Sequence, residues 1–207
     1  MVYNELGRIM VAEYHRIEDK KGEWIRTPDD FRKDLQRFYD MGYRLVSVKD
    51  VFNDSRVNIP AGKKPLVITF DDGHPSQFRW LIKDGSTVEG KGGFPKVDPD
   101  CAVGILDEFH KKHPDFGSSA TFFLNSIAFY QGECPALWKL KLQYLVKTGR
   151  ELGNHTFDHD NLSELDYTGI KRVLAMQQAR IEEAVPSYEA SSVALPFGIL
   201  PKKGKWL

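Results

Sequence analysis

The sequence has no excess of charge of either sign. Lys plus Arg and Asp plus Glu number 29 each, so the formal net charge is zero. Without a basic surplus there is no surface built to hold a phosphate backbone, and nucleic acid is not expected as a partner. Cysteine is scarce: the two present, Cys101 and Cys134, are too few for a disulfide framework and lack the spacing of a zinc ribbon. They read as two unpaired thiols. No apolar run reaches the roughly 20 residues needed to cross a bilayer. The N-terminal stretch MVYNELGRIMVAEYH lacks the basic segment followed by an apolar one that marks a signal peptide. Internal repeats and low-complexity segments are missing too. What remains is 41% hydrophobic and 28% charged, an ordinary globular composition. At 207 residues the length suits one domain (1–207) with a full core, and is short for two.

Strand and helix signals alternate along the chain. Gly7 to Ala12 reads as a short strand opening into Glu13-Tyr14-His15-Arg16. Thr27-Pro28-Asp29-Asp30 is a helix start, with Thr27 as N-cap, proline in the first turn and acids beside it. Phe31, Leu35 and Phe38 follow at helical spacing until Gly42. Tyr43 to Val46 is a second strand. Pro65 to Phe70 is a continuous apolar run, as expected of a strand covered on both faces. Residues 83–98, rich in Gly and Lys, read as a long surface insertion. A helix is expected from Asp100 to His113, a buried strand from Ser119 to Leu124, a helix from Pro135 to Thr148, and a short strand at Glu151-Leu152-Gly153. A longer helix follows from Ser163 to Ala184, and a last strand at Ser192 to Leu195, closed by Pro196-Phe197-Gly198. The alternation implies a parallel sheet with covering helices, and an open sheet and a (β/α) barrel fit it equally.

Two segments carry chemistry. Asp71 and Asp72 stand side by side at the end of a buried strand, where adjacent carboxylates repel and are costly to desolvate unless a cation relieves them. Strand C-termini are also where α/β folds place their sites. His155 and His159, at i and i+4, share one side of a helical turn and can hold one ion. Joined to Asp72 they make a His-His-carboxylate set with room for water, a composition typical of catalytic zinc.

Thr69-Phe70-Asp71-Asp72-Gly73 and Asn154-His155-Thr156-Phe157-Asp158-His159 resemble the first two signature motifs of the polysaccharide deacetylases, carbohydrate esterase family 4. Leu195-Pro196-Phe197-Gly198 resembles the third. Similarity extends over Tyr14 to Ile17, Phe31 to Tyr43, Ala120 to Phe123 and Gly149 to Gly153. The resemblance implies a distorted (β/α) barrel with a divalent metal at its top, Zn²⁺ foremost and Co²⁺ or Ni²⁺ as substitutes. Asp72, His155 and His159 would be ligands, Asp71 the base acting on the attacking water, and Thr156 a brace for the histidine loop. It implies an acetylated polysaccharide as substrate, an N-acetyl amino sugar before an O-acetyl ester, and an extracellular or cell-envelope setting.

The chain also departs from the family pattern. Many members carry an arginine two residues before the third-motif proline, orienting the base; here that place is Ala194. The motif that usually supplies the general acid would lie downstream of Gly198, so the barrel is expected to be incomplete at its C-terminus. Tyr14-His15-Arg16-Ile17, however, resembles the opening of the circularly permuted poly-N-acetylglucosamine deacetylases, and on that likeness His15 would be the acid. Trp80, soon after the first motif, is the tryptophan best placed in sequence to stack on a sugar ring; Trp24, Trp138 and Trp206 read as packing residues. His74, His110 and His113 read as structural or solvated. A glycan-binding domain without full activity, or a hydrolase of small amides, would be compatible with the same residues.

Overall fold

A computed structural model describes residues 9–52, 59–130 and 135–202. Strand β1 (Met10–Tyr14) leads to the short pair β2 (Arg16–Ile17) and β3 (Ile25–Arg26). Helix α1 (Pro28–Asp40), strand β4 (Tyr43–Leu45), helix α2 (Val48–Phe52) and strand β5 (Lys64–Phe70) follow. Next come β6 (Ile82–Lys83) and β7 (Ser86–Thr87), then α3 (Ala102–Lys112), β8 (Thr121–Leu124), α4 (Pro135–Lys147), β9 (Glu151–Asn154) and α5 (Tyr167–Ala184).

The reasons are local first. Thr27 caps α1 by accepting from the Asp30 amide at 3.1 Å, and Phe31 and Leu35 on its inner face are fully buried. Gly42 ends the helix at φ 84°, a left-handed conformation that glycine takes without Cβ strain. Strand β5 is buried from Pro65 to Phe70, as a central strand of a parallel sheet must be. The sheet runs β1-β5-β8-β9, with β4 paired to the N-terminal half of β5. All these pairings are parallel. Register aligns Tyr14 with Phe70, Phe70 with Phe122, and Leu124 with Asn154, so the residues following β1, β5 and β9 emerge on one edge. Below that edge, the Phe70 ring stacks on Phe122 with centroids 4.8 Å apart and meets Phe31 edge-on at 5.8 Å.

The expected order of elements holds, with four corrections. Residues 83–98 are not plain loop: β6 and β7 pair antiparallel, and bridges Trp80–Val97 and Glu89–Pro95 tie the segment down. Helix α5 begins at Tyr167, where Asp166 accepts from the Gly169 amide at 2.7 Å, and Leu162–Glu164 is a separate 3₁₀ turn. Ser192 to Leu195 forms a single parallel bridge, Asn154 to Val193, in place of a strand. Finally, the histidine motif is not helical, as described below. Among the described residues the sheet remains open, in line with an incomplete barrel. Cys101 is a buried free thiol; Cys134, Gly7, Arg8 and Trp206 lie outside the described residues.

Candidate metal centre

Asp71 and Asp72 leave the end of β5 in a tight turn. Asp72 takes φ 74° and Gly73 φ 62°. A Cβ on Gly73 would come within 3.0 Å of Leu124 and 3.4 Å of the Ala128 backbone, so both φ and space require glycine there. The Gly73 carbonyl accepts from the Phe129 amide at 2.7 Å. This turn points the two carboxylates in different directions, Asp72 toward β9 and Asp71 into the space between β1 and β9.

His155 follows β9 directly. Its amide donates to the Leu124 carbonyl at 2.9 Å, and the residue is 2% exposed. The loop to His159 is turned by left-handed Thr156 (φ 57°) and His159 (φ 56°), a conformation costing about 1–3 kcal/mol per non-glycine residue. The i, i+4 spacing therefore does bring the rings together, with centroids 4.8 Å apart, but by a strained loop and not by a helical turn. Thr156, fully buried, holds that loop: its hydroxyl accepts from the Asp160 amide at 2.7 Å, and its own amide donates to Asn154 Oδ1 at 2.9 Å.

Nδ1 of His155 lies 3.0 Å from the Ala194 carbonyl. A carbonyl can only accept, so Nδ1 carries a proton, and Nε2 of the neutral ring is the nitrogen left to bind a cation. That Nε2 and the Nε2 of His159 each sit 3.5 Å from Asp72 Oδ1. The distance is long for a hydrogen bond, but ligands about 2.1 Å from a common tetrahedral ion stand roughly 3.4 Å apart. The residues fit a divalent cation: two neutral nitrogens and a carboxylate, with all donors within 4.8 Å of one another. Contact with His155 holds the Asp72 carboxyl below its ordinary range, with burial opposing. Burial works to lower His155, but Asp72, Asp71 and the Ala194 carbonyl outweigh it and the ring sits above its usual value. His159 is lowered by burial and by His155.

Asp71 is different. It is 8% exposed, and among the described residues its Oδ1 has no hydrogen-bond partner. Burial pushes its carboxyl up to about 6, with Glu13 adding to the rise and His155 and His15 opposing it. The partner left undefined by Ala194 is thus not replaced by a hydrogen bond. His15, at the end of β1, shares a cavity of about 1000 Å³ with Asp71, Asp72, His155 and His159. Two contributors escaped the sequence reading. Gln77, fully buried, donates from Nε2 to the carbonyls of His15 (2.6 Å) and Asp71 (2.5 Å), joining two strand ends. Glu13 reaches His15 Nδ1 at 3.5 Å; its place two residues before His15 on a strand puts both on one face, a signal the alternation did contain.

The other expected residues divide. Phe197 and Gly198 line the cavity, and Phe197 packs edge-on against His159 at 4.5 Å. Pro196 is buried at the start of that turn. Trp80 is a correction: it is 3% exposed among Phe78 and Tyr144, with its indole N–H donated to the Leu137 carbonyl, and offers no face to a sugar. Trp24 instead lies on the cavity, 62% exposed and 5.0 Å from His15. His74 caps the turn at Ser76 and faces Glu18; burial lowers its pKa. His110 bonds the Gly117 carbonyl, and His113 packs between Tyr39 and Phe109.

Residues 107–205 match the polysaccharide deacetylase family model. The fold is shared with the Streptococcus pyogenes deacetylase PplD, solved with acetate, at a TM-score of 0.67 and 19% identity, over 94% of this chain and 76% of that one. It is shared with the putative polysaccharide deacetylase BA0330 from Bacillus anthracis, at 0.64 and 20%, over 94% and 52%. For IcaB from Ammonifex degensii the values are 0.58 and 20%, over 93% and 75%. The chain therefore spans about half of the Bacillus protein and three quarters of the other two. The matched stretch, just under half of the chain, contains His155, His159 and the Pro196–Gly198 turn, and over it the chain is similar to the polysaccharide deacetylase family, whose fold it shares with these three proteins.

Proposed function

We propose that this chain is a metal-dependent hydrolase that removes acetyl groups from an acetylated polysaccharide, with an N-acetyl amino sugar as the substrate. The observation that carries the reading is the convergence of Asp72, His155 and His159 beside a buried Asp71 whose Oδ1 has no hydrogen-bond partner among the described residues. Asp72, His155 and His159 would hold the cation, and their mixed nitrogen and oxygen donors favour Zn²⁺, with Co²⁺ or Ni²⁺ as functional substitutes. Bound there, such an ion polarises the acetyl carbonyl and makes water a stronger acid.

Asp71 takes a proton from the attacking water. A carboxyl raised to about 6 is still largely ionised at neutral pH and is a stronger base than a solvated one. An amine leaves poorly as its anion, so the leaving nitrogen must gain a proton as the carbon–nitrogen bond breaks. His15, on a different strand end from the base, supplies it. Phe197, Gly198 and Trp24 give the cavity the partly apolar rim that a sugar ring needs. Substrates of this class lie in the cell envelope or outside the cell, and we place the activity there; among the described residues no helix is long and apolar enough to cross a membrane.

The test is acetate release from an N-acetylated oligosaccharide, with chelator and after adding Zn²⁺ back. Loss with chelator and recovery with Zn²⁺ is the expected result. Release indifferent to chelator would overturn the metal role. Oligosaccharide binding without release would mark a glycan-binding domain, and release from small amides alone would mark an amidohydrolase.

A further inference from the structure

A second set of donors adjoins the first. Glu13, His15 and Asp71 each offer one ligand atom, and these three also lie within 4.8 Å of one another. The proposed reaction gives Glu13 no part. Asp71 brings an oxygen, Oδ1, that is buried without a hydrogen-bond partner among the described residues, in a residue only 8% exposed. Two carboxylates this close repel each other, and a buried, unsolvated one is relieved by a proton or by a cation. Glu13 and His15 already approach each other, at 3.5 Å, without a hydrogen bond that a cation would have to break.

We propose that Glu13, His15 and Asp71 form a second, weaker divalent-cation site, and that filling it inhibits the enzyme by occupying its base and its acid. The binding stands on the geometry of these three residues; the inhibition rests on the roles given above to Asp71 and His15. The donors are a nitrogen and two carboxylate oxygens, suited to Zn²⁺ or Mn²⁺. Several features make this site the weaker one. The Glu13 side chain is 52% exposed, against 35% for Asp72, 31% for His159 and 3% for His155, so binding must order a side chain held more loosely than any ligand of the first site. A second ion also meets repulsion from the first, because Glu13, Asp71 and Asp72 together bring less negative charge than two dications bring positive.

The experiment titrates Zn²⁺ alone into the metal-free full chain, counting bound metal by equilibrium dialysis and elemental analysis. Two equivalents are expected, the second weaker by roughly tenfold or more. Glu13→Gln, an isosteric change at a half-exposed position, should keep the tight equivalent and lose the weak one. Asp72→Asn should do the reverse. Acetate release should rise up to one equivalent and fall beyond it, with the fall displaced to roughly tenfold higher Zn²⁺ in Glu13→Gln. A single equivalent in the unaltered chain, or a second that survives Glu13→Gln, overturns the proposal. Failure of the Asp72 reading looks different: no tight equivalent binds at all.

Discussion

The two sides of the cavity are built to different standards. On the β9 side, Asn154, His155 and Thr156 are almost wholly buried, and main-chain and side-chain bonds to Leu124, Leu174 and Ala194 fix the loop. On the β1 side, Met10 and Val11 are 38% and 61% exposed, the Glu13 side chain is half exposed, and Gln77 grips the backbone of His15 and not its ring. The difference matches the work proposed for each. Metal ligands must keep a geometry, and rigidity serves them. A proton donor must reach a leaving group whose position depends on a bulky substrate.

The largest effects should come from the rigid side. His155→Ala should abolish tight metal binding and with it activity, read by elemental analysis and acetate release. His159→Ala, removing a more exposed ring, should leave weakened but measurable binding. Equal retention of metal in both would break the comparison and the site together. Between the two sides stands Asp71. Asp71→Asn should keep the metal yet lower turnover by about 10²–10⁴-fold, the range for a lost acid–base group. Loss of metal comparable to Asp72→Ala would mean that the two aspartates have exchanged roles.

Asp71 also predicts a pH effect on stability in the metal-free protein. Burial raises its folded-state value from 3.8 to about 6. The stability tied to its neutral form is complete below pH about 4 and lost as pH rises through about 6, an effect on the order of 3 kcal/mol. Asp71→Asn should therefore melt higher than the unaltered chain at pH 7.5 and match it at pH 4. A mutant that gains nothing at pH 7.5 would show that Asp71 is solvated in the metal-free state.

How much of this was legible depended on whether a feature is local. Thr27, Gly42 and the apolar Pro65–Phe70 run declared their elements because capping, left-handed turns and burial are written in neighbouring residues. The Asp71-Asp72-Gly73 turn and the His155, His159 spacing pointed to residues that the fold does bring together, but not to the strained loop that aims the rings, since i+4 spacing suits a helix just as well. Trp80 is buried and Trp24 lies on the cavity, which the sequence did not tell, because proximity to a motif says nothing about which way a side chain is buried. Gln77 was invisible: its role is to bridge the carbonyls of residues in two separate segments, and only the parallel register brings those together.

The smallest effects test the comparison most directly, since they ask about stability alone. Asn154 is 4% exposed, and its side chain joins two buried groups: Nδ2 donates to the Leu174 carbonyl at 2.9 Å and Oδ1 accepts from the Thr156 amide at 2.9 Å. Asn154→Ala removes both partners while leaving the amide of a fully buried Thr156 in place. An unsatisfied buried polar group costs about 1–3 kcal/mol, and the left-handed Thr156 turn would lose the bond that holds it. Glu13→Gln on the opposite side changes a half-exposed carboxylate with one long ion pair, a substitution expected to stay within about 0.5 kcal/mol. Denaturant midpoints of the two variants, at equal slope, should differ in that order. If Glu13→Gln destabilised the chain as much as Asn154→Ala, the β1 side would be as firmly built as the β9 side. The looseness on which the weaker cation site and the reach of His15 both depend would then be gone.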